Sequence, residues 1–273
     1  MNALAFAMIL WATVAIRGQR RLSLWVLYGA LWAVGLLINA SILSLAPFLF
    51  GWLLWELWKQ GMPWMKPLAT AVLVCALGVA PWTCRNYLAF GKFIPIRSNM
   101  GLVLWMGNHP GSDGFDTTLS PYGNREQASL YIQMGEIAYM TAKKHEAVAF
   151  MKSHPGRTFT MALRNACTFW LGVTDRRANP WYGGATYLSI DFIANAVIIL
   201  LGLIGIIVAV RSRMSSAWLY LSILLVFPLI YYLTRPALRF RFAIEPMLVI
   251  LAAYGAVCVL NWMSGDRLKP PAV

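Results

Sequence analysis

An all-α fold that crosses a membrane several times is what this sequence predicts, and three observations carry it. Of 273 residues, 59% are hydrophobic and 12% charged, against roughly a quarter charged in an average soluble domain. Apolar runs of about 18 residues or more recur, each long enough to cross about 30 Å of hydrocarbon at about 1.5 Å per residue. The charges fall between those runs. The net charge of +13 is scattered through loops rather than gathered on one soluble face. That argues against nucleic acid, and for anionic membrane lipid or a phosphorylated lipid substrate as partner.

Charge bounds the apolar stretches 1–16, 22–57, 67–84, 187–210, 214–234 and 242–263. The second is too long for one crossing. It starts after Arg20 and Arg21 and ends just before Trp58 and Lys59, so both flanks look cytoplasmic. A hairpin turning near Asn39 to Ser41 explains that symmetry; a re-entrant pair, suited by Gly35 and Pro47, is the alternative. The expectation is therefore a polytopic protein of about seven transmembrane helices.

Orientation follows from the short loops. "RGQRR" (17–21), "WKQGMPWMK" (58–66) and "VRSRM" (210–214) carry Lys and Arg and are expected inside together, with the tail 264–273. Residues 85–186 then form a large extracytoplasmic segment, long enough to escape the charge rule. The expected organisation is a partial membrane domain over 1–84, the outer segment over 85–186, three C-terminal spans over 187–263, and a cytoplasmic tail. The same count puts Met1 outside, without a basic n-region, so the start is a poor signal peptide. A chain entering mid-topology is expected to be the C-terminal part of something longer.

One loop breaks the rule. "LTRPALRFRFAIEP" (233–246) is short, is placed outside, and carries Arg235, Arg239 and Arg241. Glu245, four residues after Arg241 and just before Pro246, is expected to form an i,i+4 ion pair at a helix start. Arg85 at the lip of a span is open to two readings, snorkelling to headgroups or holding a phosphate.

The outer segment holds most of the polar chemistry. "GNHPGSDG" (107–114) is turn-rich; His109 and Asp113 in it are a weak candidate for metal or sugar binding, against plain turn formation. From Asn124 to Lys152 the apolar spacing predicts one helix, with Leu130, Met134, Ile137, Ala147, Val148 and Met151 near period 3.6. "SHPG" (153–156) is expected to end it, with Gly156 as the cap. A second helix over about 157–171 is expected to lie on the membrane. Glu126, Glu136 and Glu146 read as a solvated face. Asp191, early in a span, is a functional candidate or an interfacial acid within reach of water. Cys75 and Cys258 read as span fillers, and a bridge between Cys84 and Cys167 has no spacing pattern behind it. No zinc spacing, nucleophile elbow or P-loop appears.

Several stretches together resemble a known family. "APWTCRNYLAFGKFIPIRSNMGLVLWMGNHPG" (80–111) and "RFRFAIEPMLVILAAYG" (239–255) are similar to the C-terminal half of bacterial GT-C membrane glycosyltransferases of the dolichyl-phosphate-mannose-protein mannosyltransferase-like group, glycosyltransferase family 39. "LYGALWAVGLLINASILSLAPFLFGWLLW" (27–55) looks like that family's paired middle spans, and 135–172 like its outer helical segment. The resemblance implies transfer of a sugar from a polyprenyl-phosphate donor to a glycan, lipid or protein acceptor, at the outer face of a bacterial cytoplasmic membrane. It also implies an acidic catalytic residue in a first outer loop, which has no counterpart here, so the isolated chain is expected to be inactive. On this resemblance Arg239 and Arg241, then Arg235 and Arg85, are expected to bind the lipid phosphate. Tyr231, Tyr232 and Phe240 are expected to line a groove for its tail. Metal dependence stays open, with no cofactor certain. The rival functions are a lipid-linked oligosaccharide polymerase or ligase, a transporter, and a non-enzymatic membrane protein.

Overall fold

The computed structural model describes residues 1–112, 120–172, 185–234 and 238–264, with 185–191, 238 and 239 described by their backbone alone. It is all-helical, with no strand among the described residues. Among the described residues four helices are long and apolar enough to cross a membrane: Ala40–Lys59, Met65–Phe90, Phe192–Arg211 and Glu245–Met263. Asn2–Ile16, Leu22–Ile38 and Ala217–Leu233 are apolar but shorter. The chain divides into two compact units, one of Met1–Gly78, Ser189–Phe227 and Arg241–Val273, the other of Val79–Leu188 and Pro228–Phe240.

The first unit opens with α1 (Asn2–Ile16) and α2 (Leu22–Ile38). They are tied where the Thr13 hydroxyl meets the Tyr28 hydroxyl at 2.7 Å, both groups being buried. The long apolar run breaks at Asn39, where its length and its two basic flanks placed a turn. Asn39 leaves the helical region at φ −146°, and its side chain accepts from the Ser41 N–H at 3.0 Å. A short 3-10 turn (Ala40–Leu45) then leads into α3 (Ala46–Lys59). Leu45, Leu49, Leu53 and Leu57 repeat at a spacing of four and are all buried, a one-face stripe set by the helical period. An aromatic ladder of Trp25, Tyr28 and Trp32 runs along α2, with Phe50 of α3 stacked on Trp32 at 5.1 Å. At one end Arg17 donates to the Ser215 hydroxyl at 2.8 Å, so two of the basic loops meet.

Helix α4 (Met65–Phe90) runs past Arg85. The expected end at residue 84 is corrected because nothing breaks the helix before Gly91, which sits at φ +64°. In the second unit, the last turns of α4 hold the following strip against themselves. Trp82, Thr83 and Asn86 donate to the carbonyls of Ile96, Pro95 and Ile94 at 2.9–3.0 Å.

No element was expected at Met100–Gly107, which forms helix α5. The helix expected from 124 to 152 is two helices, α6 (Arg125–Met134) and α7 (Glu136–Ser153). Gly135 at φ +74° separates them, a conformation the apolar periodicity ran straight across. Asn124 caps α6 by accepting from the Gln127 N–H at 3.0 Å. The helix ends at Ser153 as expected, with His154 rather than Gly156 as its cap; Pro155 opens α8 (Pro155–Leu171), with Gly156 inside its first turn.

Helices α5 and α7 pack closely because Gly101 has no side chain: a Cβ there would lie 2.0 Å from the Met140 carbonyl oxygen. The core between them is Leu102, Trp105, Met106, Tyr139 and Ala147. The Lys143 ammonium is buried over the Trp105 ring at 4.0 Å and paired with Glu146 at 3.0 Å. Glu146 thus has a partner on the surface, while the Glu136 carboxylate accepts from the Ser98 hydroxyl. Burial, then the charge of Glu146, push the Tyr139 phenol above its usual pKa. Tyr139 therefore stays protonated and donates to Gln127 at 2.8 Å. Cys75, Cys84, Cys167 and Cys258 are all free thiols.

The arginine hinge and its clamp

Pro228 splits the last apolar run before the hinge into α10 (Ala217–Val226) and α11 (Leu229–Leu233). In the second unit, α11 ends at Thr234, whose hydroxyl donates back to the Ile230 carbonyl at 2.7 Å. A helix end leaves about four carbonyls without helical partners. Here three successive ones are satisfied by two asparagine amides. Asn165 on α8 donates to the carbonyls of Tyr232 and Thr234, both at 3.0 Å. Asn108, just after α5, donates to the Leu233 carbonyl at 2.6 Å. Asn165 is 1% exposed and Asn108 4%, so these bonds form where water does not compete well. Gly107 lets α5 reach the same spot, since a Cβ there would stand 2.6 Å from the Thr234 oxygen.

Rings hold the two sides of the hinge. Phe169, Tyr231 and Phe240 stack in series, with centroids 5.6 and 4.8 Å apart and planes within 16°. Tyr231 precedes Arg235 and Phe240 follows Arg239, so one stack brackets the loop. Tyr231 is 5% exposed and acts as a wall of this stack. Tyr232 is half-buried and its hydroxyl accepts from the Trp170 indole N–H at 2.5 Å. The short helix α12 (Leu238–Arg241) closes the hinge.

The expected site residues therefore fall in different settings. Arg235 lies outside the described residues, and Arg239 is placed by backbone alone on α12. Arg85 is exposed on α4, its guanidinium over the rings of Trp82 and Phe90 at 5.5 and 5.9 Å and donating to Asn86 at 3.2 Å. In the first unit Arg241 is buried. Its Nε and Nη2 donate to Glu245 at 2.8 and 3.1 Å, and Nη2 also to the Asn195 side-chain oxygen on α9 (Ala185–Arg211) at 2.6 Å. The i,i+4 pair expected from spacing is present at the start of α13 (Glu245–Met263).

His109 is buried and stacked on Trp105 at 4.7 Å, and its Nδ1 accepts from the Gly111 N–H at 3.2 Å. Asp113 lies outside the described residues, as does the side chain of Asp191. Among the described residues no three His, Cys, Asp or Glu side chains gather as a metal-holding group.

Asn108 and Asn165 were not singled out by the sequence. Asn165 sits mid-helix and Asn108 in a turn-rich stretch, both ordinary places for an Asn, and only the fold reveals what each amide reaches. We expect Asn165→Ala to destabilise the folded protein by about 1–3 kcal/mol, because two buried carbonyls lose their donor. Asn165→Asp should cost at least as much, since it cannot donate. Thermal unfolding of the purified variants checks both. Searches against family models, curated proteins and solved structures return no match.

Proposed function

We propose that this chain belongs to a GT-C-like membrane glycosyltransferase of about seven crossings in this portion, which uses a polyprenyl-phosphate-linked sugar at the outer face of a cytoplasmic membrane. The observation that carries the reading is the pinned hinge. Two buried amides and a three-ring stack hold both ends of a loop that bears Arg235 and Arg239. A polyprenyl-phosphate places its charge at the membrane surface and its tail in hydrocarbon. As the sugar leaves, negative charge grows on the phosphate. Cations already fixed there stabilise that charge without reorganising, which favours the transition state over the ground state. Guanidinium suits the role through its paired donors.

The settings of the arginines sort their roles. Arg239 and Arg235 are the phosphate-holding residues of this reading. Arg85, exposed at the second unit's surface, is a further candidate. Arg241 serves chiefly to anchor α13, because its donors are engaged by Glu245 and Asn195. The arginine loop and the apolar spans serve a lipid-linked donor better than a transporter, which calls for ionisable groups deep in the spans.

The test is photo-crosslinking of a diazirine-bearing polyprenyl phosphate to the full chain in nanodiscs. Arg239→Ala should reduce the yield about tenfold, the loss of a charge-assisted contact of about 1.4 kcal/mol or more. An unchanged yield, with the variant folded, removes the phosphate role from Arg239.

A further inference from the structure

Helix α8 is the most strongly amphipathic of the described helices, yet its most apolar side is not the side it buries. Its buried residues are Asn165, Thr168 and Phe169, centred on the amide that clamps the hinge. At about 100° per residue, Phe159, Leu163 and Cys167 form a stripe on the opposite flank. All three are exposed, Phe159 at 65% and Leu163 at 53%. Arg164 lies beyond the Cys167 end of that stripe, Arg157 stands further round, donating to the Ser112 carbonyl at 3.4 Å with its guanidinium over the Phe150 ring, and α8 contains no acidic residue. Along the stripe's other edge runs an apolar groove of about 650 Å³ whose walls include Met100, Leu104, Val148, Met151, Phe159 and Ala162. Lys152, an exposed cation, stands at its rim.

We propose that this face of α8 seats in an anionic phospholipid leaflet, with Phe159 and Leu163 inserted among the acyl chains and the groove taking one of them. The occupant follows from charge and place. An apolar stripe with Arg164 past one edge, Lys152 at the groove on the other and no acid on the helix matches an acyl layer beneath phosphate headgroups. The chain also carries helices long and apolar enough to cross a membrane, so a leaflet is at hand without a separate binding event. A water-facing role leaves Phe159 and Leu163 unexplained. The proposal stands apart from the glycosyl-donor reading and survives its failure.

Spin labels test it on the full chain, with the four native cysteines replaced by serine or alanine. Labels go at Phe159→Cys and Leu163→Cys, with His145→Cys on α7 as an exposed reference. The protein is reconstituted in phosphatidylcholine vesicles with about a quarter phosphatidylglycerol, and in phosphatidylcholine alone. Collision rates with oxygen and with a water-soluble nickel chelate are then compared. In anionic vesicles both labels should favour oxygen several-fold over the His145 reference, and the preference should fall in the neutral vesicles or in Lys152→Gln/Arg157→Gln. Nickel access equal to the reference overturns the proposal. So does a preference indifferent to phosphatidylglycerol, which removes the anionic leaflet, and so does shielding from both reagents, which signals a covering protein. Two label positions keep the test alive if one variant does not fold.

Discussion

Arg241→Ala will lower the stability of the folded protein by about 2–4 kcal/mol, one of the two largest effects we expect of any single change. Removing one partner of a buried ion pair costs about 3–5 kcal/mol, because the other charge stays desolvated. The Arg241 side chain is 5% exposed and that of Glu245 is 26% exposed. Water therefore reaches the carboxylate in part, which trims the cost. The bidentate geometry and the bond to Asn195 work the other way, each adding a charge-assisted donor that alanine lacks. Arg241→Met with Glu245→Gln should recover most of the loss, since neither charge is then stranded. Unfolding in mild detergent across the double-mutant cycle measures the coupling. If Arg241→Ala were as stable as the parent while lipid-phosphate crosslinking fell, Arg241 would belong to donor binding and not to the scaffold.

The second large effect is expected where α9 and α13 cross in the first unit. A Cβ on Gly205 would lie 2.1 Å from the Leu251 carbonyl oxygen, and one on Gly255 would lie 2.0 Å from that of Leu201. Both obstacles are backbone, so no side-chain rotation relieves them. Small residues let helix backbones approach closely in a membrane, where packing supplies much of the association. Gly205→Val forces the helices apart and should cost about 3 kcal/mol or more, at the upper end of overpacking. Gly205→Ala should already be felt. Gly51 on α3 gives the contrast, because nothing lies within 4 Å of its Cβ position. Gly51→Ala should be neutral or stabilising by up to about 1 kcal/mol, since glycine is a poor helix former. Thermal unfolding of the variants side by side reads the difference.

These two sites also show what a sequence can and cannot reveal. The Arg241–Glu245 pair was legible because four residues along a helix fix the distance locally. Asn195, its third partner, was not, because 46 residues separate it from Arg241. The break at Asn39 was legible from run length and the basic residues at both flanks together. The break at Gly135 was hidden because apolar periodicity continues on both sides of it. Helix α5 went unread because a short apolar run gives too few turns for a period to show. The glycines at 101, 107, 205 and 255 carry no local mark of close approach; their partners are backbone atoms distant in sequence.

The hinge divides the same way. Its charge and its flanking rings stood out in the sequence, and the ring stack of Phe169, Tyr231 and Phe240 uses two of the three aromatics expected there. What holds the loop did not stand out. Asn108 and Asn165 act on carbonyls more than 60 residues away, and hydrogen bonding of that range leaves no spacing to read. Of the three residues expected to line a tail groove, Tyr231 is enclosed in the ring stack with Phe169 and Phe240.

The central claim is that the hinge recognises a phosphate on a lipid, and its most direct test is a comparison of two lipids that differ only there. Binding of polyprenyl phosphate and of the matching polyprenol to the full chain in nanodiscs can be followed by native mass spectrometry. The account predicts that the phosphate form binds and competes with the crosslinking probe, while the alcohol does so at least about tenfold less well. Equal binding of the two would contradict it.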